Sequence, residues 1–482
     1  MPLKNPDTQN LPVSHPRKPG GWGELLGPAH LPAALVLAGG VAMYAINVYV
    51  TAALLPSAIA EIGGGQFFAW VATAFLTASV IASMLVTRLL GTFGASRAYL
   101  IAFGIFSLGS ALNALAPTME TLLIGRAVQG FGGGLLAGLG YAVIRSALPE
   151  RLWTRAAGLV SAMWGVGNLV GPTLGGVFAQ IGAWRGAFWL LAAIGVALGL
   201  ISLRALPGSR PNGDAPPRVP VPSLVILTLA SAAFSVTAVL PGGVPTVLGL
   251  LAGVLLLVSF VLVERRVSVT VLPKLTYRAG NPLKWVYLTL GLLSAGAMTE
   301  AFIPLFSQEL AGLGPLLAGF LGAALSVGWT VTQLFSVNIE ADRVKRAVIV
   351  LGPAMLAAGL FGYAALLVTE ASAVTVWLWA AVLFVAGSGI GIAFPHLSVA
   401  AMRSTTDPVE GGKAAAGVST TQLIANAVSS AVVGVLVSAG GPAVIGSAQA
   451  MSVGIGVFAL AGAACAILAT RLPGRGRSVE TA

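Results

Sequence analysis

The 482-residue chain has little charge, three histidines and a single cysteine. Charged residues make up 9% of the chain, against about 25% in soluble domains, and hydrophobic residues make up 57%. This composition excludes an ordinary soluble fold. Because Cys465 has no partner, an intrachain disulfide is also excluded, and we expect this side chain to pack inside a helix. The one Gly-Lys pair, Gly412–Lys413, precedes an alanine, which excludes a Walker A loop.

Apolar runs long enough to cross a bilayer recur along the whole chain. They predict an all-α polytopic membrane protein with fourteen spans. The expected spans are 31–58, 67–87, 98–117, 120–144, 156–180, 184–203, 223–240, 246–263, 285–307, 315–337, 347–369, 374–401, 414–439 and 450–470.

The basic residues give these spans an orientation. If the loops alternate from an inner N-terminus, 24 of the 26 lysines and arginines fall on the inner side, and both termini lie inside. Only Arg126 and Arg185 remain within or beside spans. The net charge of +11 is dispersed over short inner segments, so it indicates membrane orientation and not nucleic-acid binding.

The spans predict two six-helix bundles separated by a two-helix insert. Two such halves with a site between them are a common plan of secondary transporters. The expected units are a disordered cytoplasmic tail at 1–30, the N-terminal bundle at 31–206, a linker at 207–222, the insert at 223–264, a cytoplasmic connection at 265–284, the C-terminal bundle at 285–471 and a cytoplasmic tail at 472–482.

The segment Gly165–Gly176 lies inside the fifth expected span and contains five glycines and a proline. These residues weaken helices in water. In membranes they are tolerated where a neighbouring helix packs closely or the backbone bends. The segment therefore predicts a helix that bends and is closely approached, as transporters require. Its glycines and proline are Gly165, Gly167, Gly171, Pro172, Gly175 and Gly176.

Glu300 is the one acidic residue expected within a span, since the other fourteen fall in tails, loops or span ends. It lies in the ninth span, expected to be continuous over 285–307. An acid in the membrane is costly to maintain and is a functional candidate by default. We therefore interpret Glu300 as a proton-coupling residue. The alternative is a structural acid that pairs with a cation or lies near the interface.

Three polar residues of the N-terminal half are further candidates. Arg126 is the other charge within the membrane, where it must bind carbonyl groups or a carboxylate. It either assists proton coupling or connects helix ends. Gln129 shares its helix face and is assigned to the substrate cavity. Asn47 either binds substrate or bridges two helices, and bridging is the commoner role for a lone membrane asparagine.

Other cavity candidates lie on several expected spans. His396 follows Pro395 and could carry a proton, although such a histidine is more often simply hydrogen-bonded. The remaining cavity candidates are large side chains, which in membrane proteins often serve only packing. They are Trp164, Met298, Phe302 and Trp329.

The chain resembles the major facilitator superfamily, in its fourteen-span drug:proton antiporter branch, over roughly residues 31–471. Leu123–Gly130 resembles the family's span-4 motif, whose arginine is implicated in proton transfer. Gly165–Gly176 resembles the antiporter motif, which marks exporters. Trp184–Trp189 and Phe260–Arg266 are similar to segments of the same branch. The resemblance implies a multi-pass transporter of the cell membrane, monomeric and without cofactors, that exports lipophilic small molecules in exchange for protons.

The chain departs from the family pattern at two places. The branch usually has an aspartate in span 1, where this chain has Asn47, which cannot titrate. The loop after span 2 lacks the usual Asp-Arg pair. A partial copy of that loop, with Asp342, Arg343 and Arg346, is therefore expected to form the inner gate, and proton coupling is expected to move to Glu300.

Two other functions are compatible with parts of the sequence. A facilitator, or an exporter of a native metabolite or lipid, would need no proton coupling. A membrane-embedded enzyme would need clustered His, Asp or Glu near a loop. The expected outer loops hold only isolated acids, so we predict no catalytic residue and no metal site.

Overall fold

The computed structural model describes residues 20–64, 67–208, 219–237, 240, 243–405 and 407–471. These residues form helices joined by short loops. The α-helices are α1 Trp22–Leu25, α2 Leu31–Ile62, α3 Phe68–Met84, α4 Val86–Leu115, α5 Met119–Ala142, α6 Ile144–Ala147, α7 Trp153–Gln180, α8 Trp184–Ala205, α9 Val221–Thr237, α10 Val244–Glu264, α11 Leu283–Ala297, α12 Ile303–Ala311, α13 Pro315–Ser336, α14 Asp342–Leu366, α15 Ala373–Met402, α16 Pro408–Ala439 and α17 Val444–Arg471.

Ten of the described helices are long and apolar enough to cross a membrane, and eleven if the bent pair α11–α12 counts as one span. Two further apolar stretches, Trp70–Met84 and Val221–Phe234, are shorter. They coincide with the expected spans 2 and 7. The fifth expected span corresponds to α7, which is long enough but is interrupted by glycines and polar residues. An all-helical membrane fold is therefore confirmed.

Two expectations about local structure are wrong, and a third is narrowed. The loop expected after span 2 is reduced to a break between two helical stretches at Gly94, whose φ of 72° is not helical and suits glycine. Part of the expected disordered tail at 1–30 is folded, because α1 forms at Trp22–Leu25 and Leu25 is fully buried. Span 9 is broken: a 3₁₀ turn, Met298–Ala301, separates α11 from α12 with a 41° bend.

The helices form two halves with the insert beside their junction. α2–α8 make up the N-terminal half and α11–α17 the C-terminal half. Between the halves, α7 packs on α13 and α15, while α16 packs on α3 and α5. α9 contacts α3 and α16, and α10 contacts α9 and α16. The insert therefore covers one side of the contact between the halves. The expected linker lies partly outside the described residues, at 209–218, and so does the C-terminal tail after residue 471.

Arg185, which the orientation left unassigned, joins the ends of three helices in the N-terminal half. Its guanidinium contacts the Glu61 carboxylate at the end of α2 and donates to the carbonyl oxygen of Ala116 at 3.0 Å. The Trp184 indole N–H donates to the same carboxylate at 2.6 Å. This arginine therefore has a structural role.

Candidate functional site

Arg126 is the centre of a buried polar cluster in the N-terminal half. Its Nη1 donates to Asn47 Oδ1 at 3.2 Å, to Thr51 Oγ1 at 3.1 Å and to Gln129 Oε1 at 2.6 Å. Its Nε donates to the carbonyl oxygen of Val71 at 3.3 Å. These groups come from α2, α3 and α5, so the side chain ties three helices together.

The Arg126 side chain is buried, and no carboxylate contacts it within the described chain. All its hydrogen-bond acceptors are neutral, and the guanidinium carbon lies 4.3 Å from the centre of the Phe75 ring. A buried arginine stays charged, so this cluster places a fixed positive charge inside the half, stabilised by oxygen dipoles and an aromatic face. Asn47 and Gln129 are completely buried and bind Arg126. In this conformation Asn47 therefore bridges α2 and α5 through its hydrogen bond with Arg126.

Close approach of α3 to α5 depends on glycine. A methyl group at Gly130 would collide with the backbone of Phe75, within 2.8 Å of its Cα. One at Gly134 would lie 2.5 Å from the Cα of Ser79. The hydroxyl of Ser79 donates across the same contact to the carbonyl oxygen of Gly130 at 2.9 Å. The glycines that follow Arg126 in the sequence therefore bring α3 near enough for Val71 and Phe75 to bind the guanidinium.

Glu300 lies at the break between α11 and α12 and is 6% exposed. Its carboxylate accepts a hydrogen bond from Ser326 Oγ of α13 at 2.6 Å and another from the side-chain amide of Asn168 in α7. The same amide group donates to Ser326 Oγ at 2.7 Å. The acid of one half is therefore hydrogen-bonded to the glycine-rich helix of the other half.

Asn168 is a candidate site residue that was not predicted from the sequence. It stands between Gly167 and Leu169 in the glycine-rich segment, where it is the one amide among small and apolar residues. That polarity was a usable signal, but the sequence did not reveal which face of α7 meets Glu300. The structure also separates the two predicted coupling residues, because Arg126 and Glu300 have different partners and share none.

The glycines of α7 serve two different neighbours. Gly167, Gly171 and Gly175 recur every four residues and face α2. Methyl groups on them would lie 2.8 Å from the carbonyl carbon of Ala45, 2.5 Å from Tyr49 Cβ and 2.9 Å from the carbonyl oxygen of Val50, in that order. They form the N-terminal packing face of α7.

The remaining glycines and the proline of the segment lie elsewhere. Gly165 faces α13, where a methyl group would collide with Thr330 and lie 3.1 Å from the carbonyl oxygen of Ser326. A methyl group on Gly176 would meet nothing within 4 Å, and Pro172 is exposed. The helix is continuous through Pro172. One face of α7 therefore belongs to its own bundle and another to the opposite bundle.

The two halves are closed against each other at the end that carries the basic loops. Gln333 of α13 accepts hydrogen bonds from Ser161 Oγ of α7 at 2.7 Å and from the Trp329 indole N–H at 3.0 Å. Its amide donates to the carbonyl oxygen of Gly158. Gln333 and Ser161 are completely buried. This cluster seals the junction of α7 and α13.

Three arginines close the same end nearer to its surface. Arg155 donates to Asn338 Oδ1 at 3.0 Å, and Arg145 donates to the carbonyl oxygen of Met402 at 2.8 Å. Arg403 forms a 3.0 Å ion pair with Glu150. Each contact joins one half to the other.

The residues predicted for the inner gate are not part of these contacts. Asp342 forms an exposed pair with Lys345 at 3.4 Å, one turn away on the same helix. Arg346 donates to the backbone oxygen of Asp342, also at 3.4 Å, and Arg343 is exposed. The closing contacts instead use three arginines from three separate segments, which no local motif marks.

The large side chains predicted for the cavity are found in different places. Trp164 packs edge-on against Tyr44, with ring centres 5.3 Å apart. Trp329 belongs to the Gln333 cluster. His396 is 5% exposed, and its Nε2 lies 3.0 Å from Ser336 Oγ. The histidine is thus hydrogen-bonded within the C-terminal half.

Met298, in the 3₁₀ turn, and Phe302, directly after it, flank Glu300 and are partly buried. They are the apolar candidates nearest in sequence to the acid. Within the described part of the chain, no group of three His, Cys, Asp or Glu side chains is arranged to hold a metal ion.

Long apolar helices in two halves, with an acid hydrogen-bonded across their junction, define a multi-pass membrane transporter. The profile of the Major Facilitator Superfamily matches residues 37–430. A probable multidrug-efflux transporter of Mycobacterium tuberculosis is 44% identical over 465 residues, which are 94% of this chain and 98% of that protein. The chain belongs to the Major Facilitator Superfamily. This confirms the predicted family and its location in a membrane, and the enzyme alternative is not retained.

More distant similarities agree with this assignment. A multidrug efflux pump of Staphylococcus aureus is 26% identical over 65% of this chain and 70% of that pump. The crystal structure of a human organic anion transporter superposes with a TM-score of 0.66 at 13% identity, covering 91% of this chain and 100% of that chain. A proton:xylose symporter superposes with a TM-score of 0.62 at 16% identity, covering 90% of this chain and 94% of that chain. At these identities the structural matches show the fold alone.

Proposed function

We propose that this protein is a secondary active exporter of lipophilic small molecules, exchanged for protons by alternating access. The observation that carries the proposal is the partly buried hydrogen bond from Asn168 to Glu300. It links the antiporter-like helix of one half to the one acid predicted within a span of the other. The relatives that are named multidrug transporters support the substrate class, and the glycine-rich segment supports the direction of transport.

The proposed topology has fourteen spans with both termini inside. It counts α3, α7 and α9 as spans and treats α11–α12 as one broken span. The basic residues support it, because one missing span would invert the alternation of the loops that follow it. The bundles at 31–206 and 285–471 and the insert at 223–264 remain the proposed units, and the protein is proposed to act as a monomer.

The donors and acceptors around Glu300 support the proposed proton exchange. An ionised carboxylate only accepts hydrogen bonds, and both Asn168 and Ser326 supply donors to it. Protonation converts one oxygen into a donor, so an interaction with these neighbours is lost or reversed. Because Asn168 belongs to the opposite half, protonation changes the free energy of the contact between the halves. It thereby biases which conformation is populated.

The closed inner end corresponds to a state open toward the outside in this scheme. In that state Glu300 takes up a proton as substrate leaves, and it releases the proton after the inner end opens. The proposed inner gate consists of Gln333 and the arginines at 145, 155 and 403, and Asp342 is not needed to close it. Arg126 supplies a fixed charge that orients α2, α3 and α5.

The test is Glu300→Gln in proteoliposomes with an imposed pH gradient. The amide keeps the size of the side chain but cannot ionise, so we expect substrate accumulation and substrate-driven proton flux to be lost. Substrate binding, and substrate exchange down its concentration gradient, should persist. Glu309→Gln is the matched control, because Glu309 is an exposed acid on α12. Proton flux through Glu300→Gln at the unmodified level would contradict the proposal.

An uncoupled facilitator or exporter of a native metabolite is the second candidate. It is favoured by Asn47, which stands where the branch usually has an aspartate and is used to bind Arg126. The same vesicles distinguish the two functions. Accumulation that requires the imposed pH gradient identifies the antiporter, whereas equilibration without accumulation under every gradient identifies the facilitator.

A further inference from the structure

A cavity of about 490 Å³ lies outside the junction of the two halves. Its walls come from the insert, the connection that follows it, and α11, α16 and α17. The volume is in the range of about 300–1,000 Å³ that is typical of small-molecule sites. The walls are predominantly apolar, with residues such as Phe260, Leu292 and Val428. Neither Glu300 nor Arg126 belongs to its lining.

The connection that forms one wall is held by Glu264. This carboxylate is 2% exposed and accepts hydrogen bonds from Ser223 Oγ at 2.5 Å, from the backbone N–H of Val271 at 3.0 Å and from the Tyr277 hydroxyl at 3.0 Å. It also accepts one from the backbone N–H of Leu272 at 3.2 Å. A buried acid satisfied by four donors fixes a loop firmly. The cavity is therefore a formed site and not a gap beside a loose segment.

The cavity borders surfaces that face the bilayer. Val261, Leu288 and Phe458 are among its lining residues and are 42%, 49% and 38% exposed. α10, which supplies one edge, is mostly exposed and almost entirely apolar, as expected for a helix that contacts lipid tails. An occupant can thus enter from the side, out of the membrane.

One end of the cavity is basic. Arg265 and Lys284 line it, and both lie at the helix ends that carry the inner basic loops. Neither forms an ion pair within the described residues, although the Lys284 ammonium lies 5.3 Å from the centre of the Trp285 ring. Thr276 lines the same cavity, is 5% exposed, and its Oγ1 has no hydrogen-bond partner. Two free cations and an unsatisfied hydroxyl fit an anionic oxygen-rich group.

We propose that this cavity binds an anionic phospholipid of the inner leaflet, with an acyl chain between α11 and α16 and the phosphate at Arg265, Lys284 and Thr276. The apolar body, the basic end and the opening toward lipid together match an amphiphile of this charge. The leaflet follows from the proposed orientation, but the proposal does not depend on proton exchange. It assigns the two-helix insert a role in binding lipid.

The test is native mass spectrometry of the purified protein with phosphatidylglycerol and phosphatidylcholine of identical chains. We expect one phosphatidylglycerol to bind in preference to phosphatidylcholine. Each basic residue near a membrane contributes about fivefold to binding of anionic lipid. Arg265→Gln combined with Lys284→Gln should therefore weaken it about twenty-fivefold. Arg266→Gln is the matched control, since Arg266 is an exposed neighbour that does not line the cavity.

A second variant tests the acyl-chain part of the site. A Cβ at Gly291 would lie 3.6 Å from both Ala425 and Thr421, an ordinary contact, so Gly291→Leu should extend into the cavity and reduce lipid binding at least tenfold. Thermal unfolding in detergent checks that each variant is folded. Unchanged phosphatidylglycerol binding in either the double variant or Gly291→Leu would overturn the proposal. Equal binding of both lipids, or displacement of the lipid by a lipophilic cation at the same residues, would do so too.

Discussion

Replacing Gly167 by alanine should separate α7 from α2, whereas the same change at Gly176 should be harmless. A methyl group at Gly167 would lie 2.8 Å from the carbonyl carbon of Ala45 and 2.9 Å from the amide nitrogen of Ile46. Because these are backbone atoms, no side-chain rotation relieves the overlap. Reaching an ordinary separation of about 3.5 Å from the Ala45 carbonyl carbon requires the helices to move apart by about 0.7 Å, and the Ala45 Cβ, which would lie at 2.4 Å, requires about 1.1 Å.

The magnitude follows from two opposing terms. Overpacking a tight contact costs about 1–3 kcal/mol. Glycine to alanine within a helix gains about 0.8–1 kcal/mol in helix propensity. The gain applies equally at Gly167 and Gly176, so it cancels when the two variants are compared. Gly167→Ala should therefore be about 1–3 kcal/mol less stable than Gly176→Ala.

The assay is reversible unfolding in mixed detergent micelles, followed by transport in proteoliposomes. Movement of α2 also displaces Asn47, which lies next to Ile46 and binds Arg126, so transport should fall in Gly167→Ala and not in Gly176→Ala. Equal stability of the two variants would refute the assignment of these faces of α7. Loss of transport in Gly176→Ala alone would refute it as well.

Further predictions concern the gate, the buried arginine and the folded N-terminal segment. Gln333→Leu leaves buried donors and acceptors unsatisfied, at a cost of about 2 kcal/mol. The ratio of inner-closed to inner-open molecules should fall about thirtyfold, measured by distances between spin labels on the inner ends of α4 and α14. Arg126→Lys cannot reproduce donation from two separate nitrogens, Nη1 and Nε, to groups on three helices and should abolish transport, whereas the exposed Arg97→Lys should not, in the proteoliposome assay. The Arg151 guanidinium lowers the pKa of Glu24, so their pair stabilises the fold above the ordinary carboxyl pKa and is lost as the pH falls through the lowered value. Glu24→Gln should remove the part of the loss of stability at low pH that comes from this pair, measured as the unfolding temperature against pH.

The membrane architecture could be predicted from the sequence because it depends on the properties of single segments. Whether a run of residues crosses a bilayer is decided by its own length and hydrophobicity. The expected spans accordingly match α2, α8 and α15 closely. The break in the ninth span was not predictable in this way. The 3₁₀ turn at Met298–Ala301 contains no proline or glycine, and a hydropathy pattern does not record a bend.

The candidate site was predicted in its charged members and in Asn47 and Gln129, which bind Arg126, but not in the partners of Glu300. Glu300 and Arg126 were found because a charge within a membrane span is rare. Asn168, Ser326 and Gln333 were missed because polar uncharged residues occur in many membrane helices, most of them without a function.

The sequence by itself determined that this protein crosses the membrane many times, how its basic loops are distributed, and that its segment Gly165–Gly176 is suited to close helix packing. These are properties of composition and local order. Only the tertiary structure decided that Asn168 reaches Glu300 across the junction of the halves and that a cavity forms beside the insert. It also decided that Gly165 faces the C-terminal half whereas Gly167 faces the N-terminal half. The reason is geometric: such contacts depend on the rotation and depth of each helix relative to its neighbours, and these are settled by packing among residues far apart in the chain.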